Sequence, residues 1–149
     1  MSTASVAHLA SARVDVPSVF AFDKLSSAAF VGAWALGSTG LAEVAPGVYR
    51  GVSMVDGAEG FIEIRPFPEL GLIDFAVGSL TVRIPRIFIR VTTGAALGLG
   101  DGACLVALHA MRSAQATPEA WARTCTLHEA EILLIKGQLE AAFAKGGGR

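Results

Sequence analysis

The stretch that most constrains this chain is the one near its C-terminal end. Thr117-Pro118-Glu119 offers a capping hydroxyl, a proline at the first helical position and an acid in the first turn, three start signals that agree. From there the spacing predicts a helix to about Phe143, about 39 Å long at ~1.5 Å per residue. Viewed down that helix, Trp121, Cys125, Ile132, Ile135 and Leu139 fall within about 60° of His128, so one stripe is apolar with a histidine at its centre. Glu129, Lys136 and Glu140 gather on a flank suited to water. A helix of this length with one greasy stripe needs a broad apolar surface to lie on, and a small sheet is wide enough.

The preceding residues supply short extended runs. Ala12, Val14 and Val16 alternate with Arg13 and Asp15, a half-buried strand over 11–16. Pro17 ends it, and short helices are predicted over about 17–24 and from Ser26, as N-cap, to Gly37. Then come extended runs over 41–45, 48–55, 60–66, 72–77, 84–92 and 103–111, separated by Pro46-Gly47, Asp56-Gly57, Phe67-Pro68-Glu69, Gly78 and the glycine-rich 94–102. Along 84–92, Arg86, Phe88 and Arg90 alternate with Ile87, Ile89 and Val91. The expectation is one domain over 1–149, with its core at about 10–143 and a flexible Gly-rich tail at 144–149.

One strand, two short helices, six antiparallel strands and a long terminal helix resemble the helix-grip fold of the START/Bet v 1-like superfamily, also called SRPBCC. The resemblance covers roughly residues 10–143 and rests on Arg13 to Phe22, Trp34, the Glu43 to Gly51 hairpin and the Trp121 to Glu140 helix. Where members often carry an acidic-proline turn between the first helices, this chain has Asp23-Lys24-Leu25-Ser26-Ser27. The fold class implied is α+β, a seven-stranded curved antiparallel sheet with two short helices and one long C-terminal helix. The resemblance implies a cavity between sheet and long helix that takes lipids, sterols, plant hormones or polyketide intermediates, with some members acting as cyclases or dehydratases.

The sequence names candidates for such a site. An unsatisfied polar group on a buried face costs about 1–3 kcal/mol, so His128 needs a partner, and Glu131 is one turn later on the same side. The two form a general acid/base pair if they face a cavity, and a satisfied core histidine beside a buried acid if they do not. Candidate ligand contacts are Trp34 and Phe30 at the short helices, Tyr49, Asp74 and Arg90 in the strands, and Trp121, Ile132 and Ile135 on the long helix. The competing roles are core packing for the aromatics and aliphatics, and a wet strand face for Asp74, Glu63, Arg65, Arg83, Arg86 and Arg90, the three arginines from 83 to 90 being alternatively receivers of an acidic ligand. His109 faces core or cavity according to register, and His8 is assigned to a mobile N-terminus.

Other classes lack their required residues. With 12 Lys+Arg against 13 Asp+Glu the chain has no field to gather nucleic acid. The 94–102 segment has no phosphate-loop lysine; His128-Glu129-Ala130-Glu131-Ile132 lacks the second histidine of a zinc helix; GxSxG is missing. Neither a metal nor a cofactor is implied, and Cys104 and Cys125 read as reduced thiols. Gly and Ser interrupt the one charge-free run at 25–42, and residues 1–12 lack a leader's pattern, so a cytoplasmic protein with no integral membrane segment is expected. At 52% hydrophobic the chain buries an unusual amount of apolar side chain. Three functions follow: binding a hydrophobic small molecule, cyclase/dehydratase-like catalysis by His128 and Glu131, or a homodimer built on the excess of Ile132-Leu133-Leu134-Ile135.

Overall fold

In the computed structural model, which describes residues 5–147, β1 (Ala7–Val14) leads into α1 (Ser18–Leu25) and α2 (Ala28–Trp34). Six strands follow: β2 (Thr39–Ala45), β3 (Val48–Val52), β4 (Glu59–Phe67), β5 (Leu72–Gly78), β6 (Arg83–Thr93) and β7 (Cys104–Met111). The chain then forms α3 (Pro118–Ala142). The strands make one antiparallel sheet in the order β1-β7-β6-β5-β4-β3-β2, so six consecutive strands meander and the first returns beside the last. This is the helix-grip fold: a curved sheet, short helices and one long helix across it.

Local chemistry explains the elements. The Thr117 hydroxyl accepts from the Ala120 N–H at 3.1 Å with Pro118 in the first turn, which caps α3 as its sequence requires. Ser26 does not open the second helix; it closes the first, donating from its hydroxyl to the Phe22 carbonyl at 2.8 Å, and Ser27 stands before α2. That shift follows from the i−4 back-bond, which competes with capping for the same hydroxyl. The 48–55 run ends as a strand at Val52 because Ser53 to Gly57 turn back on themselves, with Gly57 N–H donating to Ser53.

Two terminal expectations change. His8 is not in a mobile segment: it lies in β1 opposite Ala110, and its Nε2 is 3.0 Å from a Glu129 carboxylate oxygen. The tail, as far as it is described, is a wider helical turn over Phe143–Gly147 that continues α3, with Phe143 edge-to-face on Phe20 at 5.0 Å. Residues 148–149 lie outside the described residues.

The concave face of the sheet carries the core. Ile73 and Phe75 of β5, Ile89 and Val91 of β6, and Val106 and Leu108 of β7 point toward α3 and are buried. Their alternate neighbours Asp74, Phe88, Arg90 and His109 point to the convex face, where Phe88 and His109 stack at 4.2 Å. At the C-terminal half of α3, Ile132, Ile135 and Leu139 close on Val14, Val16 and Leu25. Polar ties fix that half: Lys136 donates to the Arg13 carbonyl at 2.8 Å, and Glu140 accepts from the Asp15 N–H at 2.8 Å.

Candidate functional site

Over the other half of α3 the two layers do not close. Between them is a cavity of about 180 Å³. Its floor is Ile62 of β4, Phe75 and Val77 of β5, Ile87 of β6 and Leu108 of β7; its roof is Thr124, Leu127, His128 and Glu131. Val31 and Trp34 of α2, with Ala35, Gly37 and Ser38 after it, form the side. Gly51 in β3 keeps that connector in place, since a Cβ there would meet the Ser38 backbone at 2.9 Å.

His128 and Glu131 both line the cavity, with Nε2 and Oε1 3.6 Å apart. Their side chains are 7% and 6% exposed, so desolvation decides their protonation. It pushes the Glu131 carboxyl up to about 7, against the opposing pull of the backbone N–H groups of Leu36 and Gly37. The first of these donates to Oε2 at 2.8 Å. Burial also pulls the His128 imidazole down to about 4, helped by the nearby His8 and by the charge of Arg86. Near pH 6 the pair therefore stands as carboxylic acid beside neutral imidazole. Glu131 also does a structural job, since it ties α3 to the connector after α2 by accepting from the Leu36 N–H just beyond that helix.

Trp34 lines the cavity, packs edge-to-face on Phe75 at 6.4 Å, and leaves its indole N–H buried without a partner among the described residues. His128 Nδ1 and His8 Nδ1 are likewise unpartnered there. The remaining sequence candidates lie elsewhere. Phe30 and Tyr49 are half-buried against the core cluster. Trp121, Ile132 and Ile135 are buried in packing outside the cavity wall. Asp74 and Arg90 face away from it because Ile73, Phe75, Ile89 and Val91 take the concave side; Arg90 instead borders an open cleft with Asp23 and Glu69.

Arg86, for which the sequence offered either an acid-receiving role or the wet side of a strand, is in the cavity wall. Phe75 pairs with Ile87 while Ala76 pairs with Pro85, so Arg86 is the extra residue of a β-bulge in β6. The bulge resets the alternation, and Arg86 and Ile87 both face the hollow. Pro85 is the signal that was present in the sequence, since a proline lacks the N–H a regular ladder needs and is tolerated at bulges. Glu63, by contrast, pairs with Arg65 and Arg83 on the convex face, as a charge pair on a wet face should.

No family model matches the sequence, and no curated protein matches it. Solved structures do match its shape. The Zhui aromatase/cyclase of a Streptomyces species is similar at a TM-score of 0.66 and 16% identity, over 95% of this chain and 97% of that one. A START superfamily protein of Mycobacterium smegmatis is similar at 0.59 and 12%, over 89% and 98%. The Aha1 dimer of Colwellia psychrerythraea is similar at 0.66 and 10%, over 91% and 97%. Such identities define the fold, that of START-like and polyketide cyclase-like proteins, and leave the chemistry to the residues of this chain. No helix among the described residues is long and apolar enough to cross a membrane.

Proposed function

We propose that this protein binds a small hydrophobic molecule in the cavity under the N-terminal half of α3. The observation that carries this reading is the hollow itself, walled by Val31, Ile62, Phe75, Val77, Ile87, Leu127 and Leu108 with only a few polar groups converging on it. A closed apolar cavity of about 150 Å³ accepts a benzene, so one of about 180 Å³ suits a single ring or a short chain better than a sterol. The test is a titration of the Trp121→Phe variant, whose remaining indole is Trp34, with single-ring and short-chain apolar compounds. The expected result is saturable quenching and a raised melting temperature. No response to any of them would refute the reading.

A second reading rests on Glu131, whose carboxyl is pushed to about 7, where a general acid or base works best at neutral pH. In it, Glu131 exchanges a proton with a bound carbonyl compound while His128 orients the pair, in the manner of a cyclase or dehydratase. Proton-to-deuterium exchange next to the carbonyl of a small cyclic ketone, followed by NMR, checks it; exchange no faster than in buffer, or equally fast in Glu131→Gln, removes it. A homodimer through Leu133 and Leu134, 66% and 37% exposed on the outer side of α3, is compatible with either and is tested by sedimentation. The unpaired thiols of Cys104 and Cys125 suit a cytoplasmic setting.

A further inference from the structure

We propose that the cavity is built for an acid: that Arg86 receives the carboxylate of a small hydrophobic ligand whose apolar body lies against Phe75, Val77 and Leu108. The inference rests on the binding role proposed above and names the chemistry of the ligand.

Three observations carry it. The bulge at Pro85-Arg86-Ile87 turns an arginine inward at a position where a regular strand would have turned it out. Arg86 is half-buried, yet its guanidinium has no hydrogen bond or ion pair with any of the described residues. That is a costly arrangement for a charge with five donors in a planar fork, and a carboxylate is the partner that fork fits in two parallel bonds. Trp34 lines the same cavity, packed edge-to-face on Phe75, and its indole N–H is buried with no partner among the described residues. An unpaired guanidinium in the wall of a hollow points to an acceptor that belongs there.

The charge balance of the lining agrees. Glu131 is its one acid, already takes the Leu36 N–H, and keeps its proton up to about pH 7. His128 is neutral above about pH 4. Between those limits Arg86 is the charged group of the cavity wall, and it is positive. His8 Nε2 and the Glu129 carboxylate, the other ionisable groups near His128, pair with each other at 3.0 Å. Burial works against the Arg86 charge without neutralising it, since an arginine stays protonated at this pH.

The test is calorimetric titration at pH 6 with benzoic acid and with benzyl alcohol, a ring of the same size without the charge. The readout is the ratio of their affinities, in which any packing defect of a variant cancels. The expected ratio in the parent protein is about 10–100 in favour of the acid, falling to about one in Arg86→Gln and to an intermediate value in Arg86→Lys, which keeps the charge and loses the fork. Equal affinities in the parent protein, or a ratio unchanged by Arg86→Gln, overturn the assignment of Arg86 while leaving a hydrophobic binding cavity standing. Binding of neither compound overturns both.

Discussion

Toward its C-terminus α3 sets Ile132, Ile135 and Leu139 into a solid core with Val14, Val16 and Leu25, none more than 3% exposed, whereas its earlier turns hold Thr124, Leu127, His128 and Glu131 over a hollow of about 180 Å³. One helix and one sheet thus meet in two ways. At the packed end, aliphatic side chains from β1, α1 and α3 interdigitate, and the Lys136 and Glu140 ties hold the layers together. At the open end, Trp34 and the connector after α2 hold the wall, and Glu131 clips α3 to that connector instead of packing against the sheet. The difference shows a division of labour: close packing supplies the stability that a partly polar hollow forgoes.

The sharpest way to break this comparison is by truncation. Leu139→Ala should cost about 2–5 kcal/mol in urea unfolding, while Leu127→Ala, already beside a void, should cost about 1 kcal/mol or less. Equal losses would mean that the two ends are packed alike.

Titration separates them next. Glu131 keeps its proton to about 7 when folded and releases it near 4.5 when unfolded, so its contribution is full below pH 4.5 and is lost as pH rises to 7. His128 runs the other way: its folded value of about 4 lies below the ordinary 6.5, so its contribution is present above 6.5 and lost as pH falls to 4. In the parent protein the two slopes should nearly cancel between pH 4.5 and 6.5. His128→Gln should expose a fall in stability of about 2–3 kcal/mol from pH 4.5 to 7, and Glu131→Gln a rise of similar size from pH 4 to 6.5. Denaturant midpoints across that range check it, and parallel profiles for the two variants would show that desolvation does not govern the pair.

Filling the hollow should matter less to stability than to binding. Leu108→Phe places a ring where there is space, so unfolding should stay within about 1 kcal/mol of the parent while quenching of Trp34 by small ligands disappears. Smallest of all, Asp74→Asn and Arg90→Gln on the convex face should shift stability by about 0.5 kcal/mol at most and leave ligand affinity unchanged. A loss of binding in either would return the convex face to the candidate site.

Much of the fold is legible in the order of residues. The cap at Thr117-Pro118, the reversals at Pro46-Gly47 and Gly78, and the alternation in β5 and β7 are local signals, each set by a few neighbouring dihedrals and by a two- or 3.6-residue period. His128 and Glu131 were legible for the same reason, because a histidine at the centre of an apolar stripe stands out against its helix. Arg86 was not. Its inward aim depends on one extra residue in a ladder, and a register shift of one reverses which side every later residue faces. Asp74 and Arg90 follow the same rule from the opposite side, since the regular part of the ladder sends them outward.

By itself, then, the chain's order of residues determined the succession of elements and the apolar stripe of α3, because periodicity and capping act over a single turn or a single strand. Only the tertiary structure decided that the Glu131 carboxyl meets the Leu36 N–H, that His8 meets Glu129, and that Arg86 lines one hollow with Phe75 and Trp34. Those meetings join residues far apart in the chain, and they exist only where sheet register and helix docking bring them within hydrogen-bond or contact distance.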